Sequence, residues 1–450
     1  MRWAILGAAI LPSLCYLFFI FAAGIFFRRH NTAPRNFTPP LSLLKPVHGL
    51  DPEAYENFAS FCHQDYPQYE ILFAVSSEKD PATPIIRQLI ADFPDLPIQL
   101  VVGPKKIGSN DKVNKLCAMA RLARYDFLVL SDADIRVGPG YLRSIAAPFR
   151  HPKVGAVTSF FTGIPVPSLW PELEAVYLST DFMPSVLMAR ELEDVHFALG
   201  ATVAVRRESL AEIGGFEALA DEAADDYELG YRIAARGHLV ELVDGTVKTW
   251  CCLESLPAFF IQRLRWAIMA RQARPLGYLG LIFTQGLPWT VLAAILAPSH
   301  LMALGFVAAY LILRLAAVWT MGVWGLRDEL LKRRWWLVPL WDVFAFVVWL
   351  NSLVWNRVRW QGVEYRVSGG RLIPVVTQPK QLDTSESPES GLSRRSRVRF
   401  RRRLQRRQDV ISIPDVRTRW QNARKEHRRL TKSHQGAGRL VISTTWSRHE

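Results

Sequence analysis

The chain of 450 residues has only 5 cysteines, and none lies in a C-x-x-C or Cys/His pattern with zinc spacing. Cys251 and Cys252 are adjacent, too close for an ordinary bridge, and Cys15 lies in an apolar run. A disulfide framework is therefore excluded, and a reducing, cytoplasmic setting fits the central region. No A-x-A cleavage site follows the first hydrophobic segment, which argues against a signal peptide. Acidic residues are scarce at the far end: residues 371–450 carry 20 Lys+Arg against 7 Asp+Glu, so nearly all of the net charge of +14 belongs to the tail. Ser, Glu and Pro dominate 384–392 and arginine dominates 394–407, with no hydrophobic periodicity. That composition predicts a disordered basic tail over 373–450, with anionic lipid rather than nucleic acid as its expected contact.

What the chain has in quantity is apolar surface: half of its residues are hydrophobic, and 15 are Trp. Residues 3–27 form an uncharged run long enough to cross a bilayer. The flank Arg28-Arg29-His30 should stay in the cytoplasm and place 28–274 there, as expected of a bacterial inner-membrane protein. A second apolar region predicts spans near 278–297 and 301–323. A charged loop follows over 327–334, then a third apolar segment over 335–355 whose two basic flanks leave its orientation open. The expected organisation is a transmembrane helix over 1–30, a catalytic domain over 31–274, membrane helices and a juxtamembrane segment over 275–372, and the tail.

Between the membrane segments, strands and helices alternate. Strands are expected at 69–75, 98–102 and 126–130, with helices at 81–92 and 112–123. This pattern predicts an α/β domain with a mostly parallel sheet and ligands at the carboxyl ends of its strands. Four motifs fall in that domain in one order. Asp80 follows a strand and either caps a helix or accepts from a nucleobase N–H. Asp132-Ala133-Asp134 ends a buried strand, and two carboxylates so spaced can hold Mg²⁺ or Mn²⁺ against diphosphate oxygens. Asp225-Asp226-Tyr227 opens a helix, where Asp226 can take the proton of an acceptor hydroxyl. Gln262-Arg263-Leu264-Arg265-Trp266 offers a guanidinium for phosphate and an indole for the acceptor or the bilayer interface. A basic loop, Lys105-Lys106 through Lys112 and Asn114, adds cations near the expected diphosphate. Together these motifs point to a membrane-bound glycosyltransferase with a lipid acceptor. A processive polysaccharide synthase shares the motifs but needs more spans, and a non-catalytic membrane scaffold would not need the acids.

Several segments resemble the ceramide glucosyltransferases of glycosyltransferase family 21, a pattern shared by bacterial enzymes that glycosylate hopanoid lipids. They are Ser42-Leu-Leu-Lys-Pro-Val-His-Gly-Leu-Asp-Pro52, Asp80-Pro81, Lys105-Lys106-x-Gly108-x-Asn110-x-Lys112-x-Asn114, Ser131-Asp132 with Ile135-Arg136-Val137, Asp226-Tyr227, and Arg359-Trp360 with Tyr365-Arg366. The resemblance covers roughly residues 1–372. It implies a GT-A fold, a UDP-sugar donor (UDP-glucose first, UDP-N-acetylglucosamine for a hopanoid acceptor), a divalent metal and inversion at the anomeric carbon. It also implies Asp80 and Asp132 as donor and metal acids, Asp226 as base, and Gln262, Arg265 and Trp266 as a closing motif around the donor, while the spacing of the residues themselves adds Asp134 at the metal and Lys112 and Asn114 beside the donor. Where animal ceramide enzymes carry D-S-G, this chain has Asp132-Ala133-Asp134, a departure that bears on donor and acceptor identity rather than on reaction class.

Overall fold

A computed structural model describes residues 1–30, 36–360, 363–368 and 371–374; the expected tail beyond 374 lies outside them. The centre is an eight-stranded sheet built from β1 (Leu41–Pro46), β2 (Tyr69–Val75), β3 (Ile98–Val102), β4 (Phe127–Ser131), β5 (Ile135–Arg136), β6 (Val154–Pro165), β7 (Thr202–Arg206) and β8 (Leu239–Cys251). Their spatial order is β3-β2-β1-β4-β7-β6-β8-β5. The first four run parallel, β7 is antiparallel to β4 and β6, β6 and β8 run parallel, and β5 is antiparallel to β8. The sheet is thus mixed but mostly parallel as expected, with six strands running one way and β7 and β5 reversed. The order 3-2-1-4 with a reversed strand beyond it, ending at an Asp-rich loop, is the GT-A arrangement that the resemblance implied.

Strands β1 and β2 are buried along their full length, as expected for a parallel sheet covered on both faces. The one acid inside β2, Glu70, is neutralised locally. It accepts from Ser42 Oγ and from the Arg124 amide, each at 2.7 Å. The expected helices appear as Thr83–Asp92 and Asp111–Leu122. Asn110 caps the second by accepting from Val113 N, a contact worth about 1 kcal/mol. Pattern reading does not find β5 to β8, nor the central strand β1. Its six residues include Ser42 and Lys45 and stop at Pro46, yet it lies between β2 and β4 at the centre of the parallel half.

Among the described residues three helices are long and apolar enough to cross a membrane: Arg2–Arg28, His300–Gly325 and Glu329–Val354. A fourth candidate, Pro275–Thr284 with Gly286–Leu296, is bent by 53°. The charged stretch expected as a loop is partly helical: Asp328 caps Glu329–Arg334, and the chain runs on into the last span. The first span reaches the domain core, where Phe26 meets Phe160 of β6 edge-on at 5.4 Å. After the last span, β9 (Arg357–Trp360), β10 (Val363–Ser368) and β11 (Arg371–Pro374) form a small antiparallel sheet. Its Val358, Tyr365 and Val367 pack with Leu264 and Ile268 of the helix Leu256–Ala273.

Candidate active site

Strand β4 delivers its last residues to the carboxyl edge of the sheet, and the chain turns there through Asp132 and Asp134. Lys45 of β1 lies beneath this turn and is fully buried. Its ammonium donates to the Asp132 carbonyl at 2.8 Å, reaches Ser131 Oγ at 3.5 Å and sits 3.7 Å from the centre of the Phe61 ring. Burial lowers its pKa to about 7, although the carboxylates of Asp134, Asp132 and Asp51 pull the other way. Asp134 is held by Thr249 of β8, whose hydroxyl donates to Oδ2 at 2.6 Å. Burial and then the charge of Asp132 push the Asp134 carboxyl up to about 7. Asp132 is more open, with 38% of its side chain exposed.

The basic loop is stapled to the segment before the second acid pair. Asn110 donates its side-chain amide to Glu222 O at 3.0 Å and to Asp225 Oδ1 at 3.2 Å. Gly108 lies so near Ala220 that a Cβ there would fall 2.4 Å from its carbonyl oxygen. The Asn114 amide is spent on the loop itself, accepting from the amides of Ile107 and Gly108 and donating to Gly108 O. It therefore shapes the loop itself. Lys112 points inward, with Nζ 2.8 Å from Asp132 Oδ1 and 3.6 Å from Asp225 Oδ2. Lys105 and Lys106 are exposed.

Asp225 and Asp226 open the helix Asp225–Ala235, where the dipole favours negative charge. Their settings differ. Asp225 is engaged by Lys112 and Asn110, whereas Asp226 turns Oδ2 toward Gly200, facing Asp132. Burial, then the neighbouring Asp225, hold the Asp226 carboxyl well above the usual carboxylate range, with Lys112 opposing. That is the direction a general base working near neutral pH requires. Asp80 sits past β2, and its two oxygens accept from Gly49 N at 3.2 Å and Ala82 N at 3.0 Å. It ties the loop after β1 to the turn that precedes the helix Thr83–Asp92, whose N-cap residue is Ala82, so the helix cap that its sequence position allowed is not formed.

Gln262, Arg265 and Trp266 lie within the helix Leu256–Ala273, capped by Ser255. Trp266 packs against Phe182 at 5.7 Å and Tyr177 at 6.4 Å. Burial and the charge of Arg263 lower the Arg265 pKa to about 10. The structure thus brings Lys112, Asp132, Asp134 and Asp226 together and leaves Asp80 in a backbone-tying position at the same edge. Pattern reading passed over Lys45, Gly200, Thr249 and Arg263. Lys45 alone carried a local signal, a lysine inside an otherwise apolar strand.

Residues 5–373 match the family model described as glycosyl transferase family 21. Ceramide glucosyltransferase 1 of Caenorhabditis elegans is 28% identical over 235 residues, 52% of this chain and 50% of that protein. The ceramide glucosyltransferase of Komagataella phaffii is 33% identical over 130 residues, 27% of this chain and 25% of that protein. The chain thus spans about half or less of the length of the curated relatives it matches. Among solved structures, the mannosyltransferase PcManGT from Pyrobaculum calidifontis, in complex with GDP-Man and Mn²⁺, aligns over 78% of this chain and 99% of that chain, with a TM-score of 0.43 and 20% identity.

Proposed function

We propose, starting from the fact that the chain belongs to glycosyl transferase family 21, that it moves a hexose from a UDP-sugar to the hydroxyl of a membrane lipid with inversion at the anomeric carbon. One observation carries this reading: Asp226 presents a carboxylate oxygen toward Asp132 across Gly200, while Lys112 engages Asp132 and Asp225. In the reaction the acceptor oxygen bonds to the anomeric carbon as the bond from that carbon to the diphosphate oxygen breaks. Asp226 takes the hydroxyl proton, and UDP leaves carrying the negative charge. Lys112 holds Asp132 in place, and Arg265 and Trp266 close over the diphosphate and acceptor.

Asp132 and Asp134 fit a hard divalent cation, Mg²⁺ or Mn²⁺. Such ions take one or two protein carboxylates and complete their shell with water and substrate phosphate, so no closed cage of protein ligands is required. When bound, the ion supplies charge compensation for the departing diphosphate. Asp80 contributes to nucleotide recognition through the loop that it fastens.

Glucose and ceramide are the first choice of donor and acceptor, from the names of the relatives. N-acetylglucosamine with a hopanoid is the alternative. The charged flank at Arg28 supports a cytoplasmic side for the domain, and a bacterial inner membrane is the compartment that goes with this reading. The test is incubation of the purified protein with a panel of labelled UDP-sugars and lipid acceptors, read by mass spectrometry. A glycolipid of inverted anomeric configuration supports the reading, and UDP-sugar hydrolysis without any lipid product overturns it.

A further inference from the structure

In Gln262-Arg263-Leu264-Arg265-Trp266 the second residue reads as a spacer, yet its side chain is the most buried of the five, at 2% exposure. Arg263 Nη2 bonds Glu174 Oε1 at 2.6 Å. The guanidinium lies 4.8 Å from the Tyr177 ring centre and 4.4 Å from that of Trp266. Nε and Nη1 have no hydrogen-bond partner among the described residues, so ring faces and one carboxylate hold this cation. The functional tryptophan is thereby clamped to the segment that contains Glu174 and Tyr177.

That segment runs as helix from Leu169 to Glu193 and is interrupted by a π-type turn over Leu178–Phe182. Such turns expose backbone and redirect side chains. Here the turn gives Asp181 and the Thr180 carbonyl to Arg314, whose Nη2 and Nη1 lie 2.8 Å from Asp181 Oδ1 and Thr180 O. Arg314 belongs to the span His300–Gly325, where a guanidinium requires an anion. Asp342 of the last span supplies one at 2.6 Å and also accepts from Tyr310 at 2.7 Å. The Trp341 indole donates to the other oxygen of Asp181. The Trp341 ring lies 4.7 Å from that of Tyr177. Buried polar contacts and ring contacts therefore run without a break from Asp342, through Arg314, Asp181 and Trp341, to Tyr177, Arg263, Glu174 and Trp266.

We propose that Glu174 and Asp181 are positioning residues for sugar transfer. The spans hold the Leu169–Glu193 segment through Asp181, and that segment holds the Gln262–Trp266 turn through Glu174 and Tyr177. The membrane helices thereby set where Arg265 and Trp266 stand, in addition to anchoring the enzyme. This rests on the reading above, in which those two residues close over donor and acceptor.

The test uses the full chain in lipid–detergent micelles. Hydrogen exchange over 256–273, turnover with UDP-sugar and lipid, and UDP affinity with Mn²⁺ are measured on the same preparations. Asp181→Asn and Glu174→Gln should each lose exchange protection in 256–273 and lower kcat by about tenfold or more, as expected when a reacting group is misplaced. UDP affinity should weaken as well, because Arg265 closes over the diphosphate in this reading. The double variant should fall no lower than the worse single, because both cut one connection. Asp328→Asn is the control. Asp328 is buried and accepts from Ser179 of the same turn at 2.5 Å, but among the described residues it makes no hydrogen bond to Arg314 or to the motif. That variant should lower Tm and leave kcat unchanged. If Asp181→Asn does not assemble, Glu174→Gln, outside the spans, carries the same expectation. Wild-type exchange over 256–273 in these variants, or additive losses, would overturn the relay. Altered exchange in a protein that glycosylates no lipid would leave the relay standing and overturn the proposed reaction instead.

Discussion

A Cβ placed on Gly200 would lie 2.8 Å from Oδ2 of Asp226, closer than non-bonded atoms approach, and 3.6 Å from Oδ2 of Asp132. The glycine is thus the gap across which the two acids face one another. Gly200→Ala should displace Asp226 and cut turnover by about 10²-fold, the scale of loss for a misplaced reacting group, while the protein melts near the wild-type temperature. Steady-state kinetics together with a thermal melt check this, and unchanged turnover would show that the gap is not used.

Asp226→Asn keeps shape but cannot accept a proton, and loss of a general base costs roughly 10²–10⁴ in rate. UDP binding should survive. If turnover stays near normal while UDP still binds, the base is Asp225 instead.

The pH profile of kcat/KM offers a separate reading of the same group. Burial, then Asp225, raise the Asp226 pKa. The working form is the deprotonated one, so activity should be complete above that pKa and fall as pH drops through it, at a pH above the ordinary carboxylate range. Asp225→Asn removes a neighbouring negative charge and should move the limb to lower pH. A limb that stays in place in that variant would exclude Asp226 as its source.

Chelation by EDTA should abolish transfer, and Mn²⁺ should restore it. Because Thr249 orients Asp134 through a 2.6 Å hydrogen bond, Thr249→Val should weaken Mn²⁺ binding by about 10–100-fold, as loss of a ligand's supporting partner does. Calorimetric titration of the metal reads this directly. Full activity in EDTA would remove the assignment of Asp132 and Asp134.

Deleting residues 379–450 removes the basic surplus and no motif. Turnover on detergent-solubilised acceptor should stay near wild type while association with anionic vesicles weakens. Vesicle co-sedimentation and a detergent assay on the same protein separate the two effects.

Local pattern was enough for the strands Tyr69–Val75 and Ile98–Val102, for the helix starts at Asn110 and Asp225, and for the apolar spans. Each carries its own signal in periodicity, a cap or a long uncharged run. The partners of the site are another matter. Thr249 stands 115 positions from Asp134, and Arg263 stands 89 from Glu174. No neighbour in sequence marks Thr249 or Glu174, because only sheet topology and helix packing bring them to the acids and to the tryptophan. Lys45 was visible as an oddity, a cation among leucines, but its purpose depends on the β1–β4 pairing that places it under Asp132. The reversal of β7 and β5 went unread for the same reason: strand direction is a property of crossings, which short windows do not contain.

The pairing of β5 with β8 also has a consequence for biosynthesis. With ribosomes adding about 5–20 residues per second, the 115 positions between Asp134 and Thr249 correspond to a delay on the order of ten seconds. Through that interval the nascent domain hangs from an inserted first helix with its acid loop made and its supporting strand still untranslated. Competence is therefore acquired late, just before the remaining spans emerge. A slowed ribosome or a fault in β8 would leave a bilayer-tethered half-sheet with an open edge, the kind of intermediate that quality-control proteases and chaperones recognise.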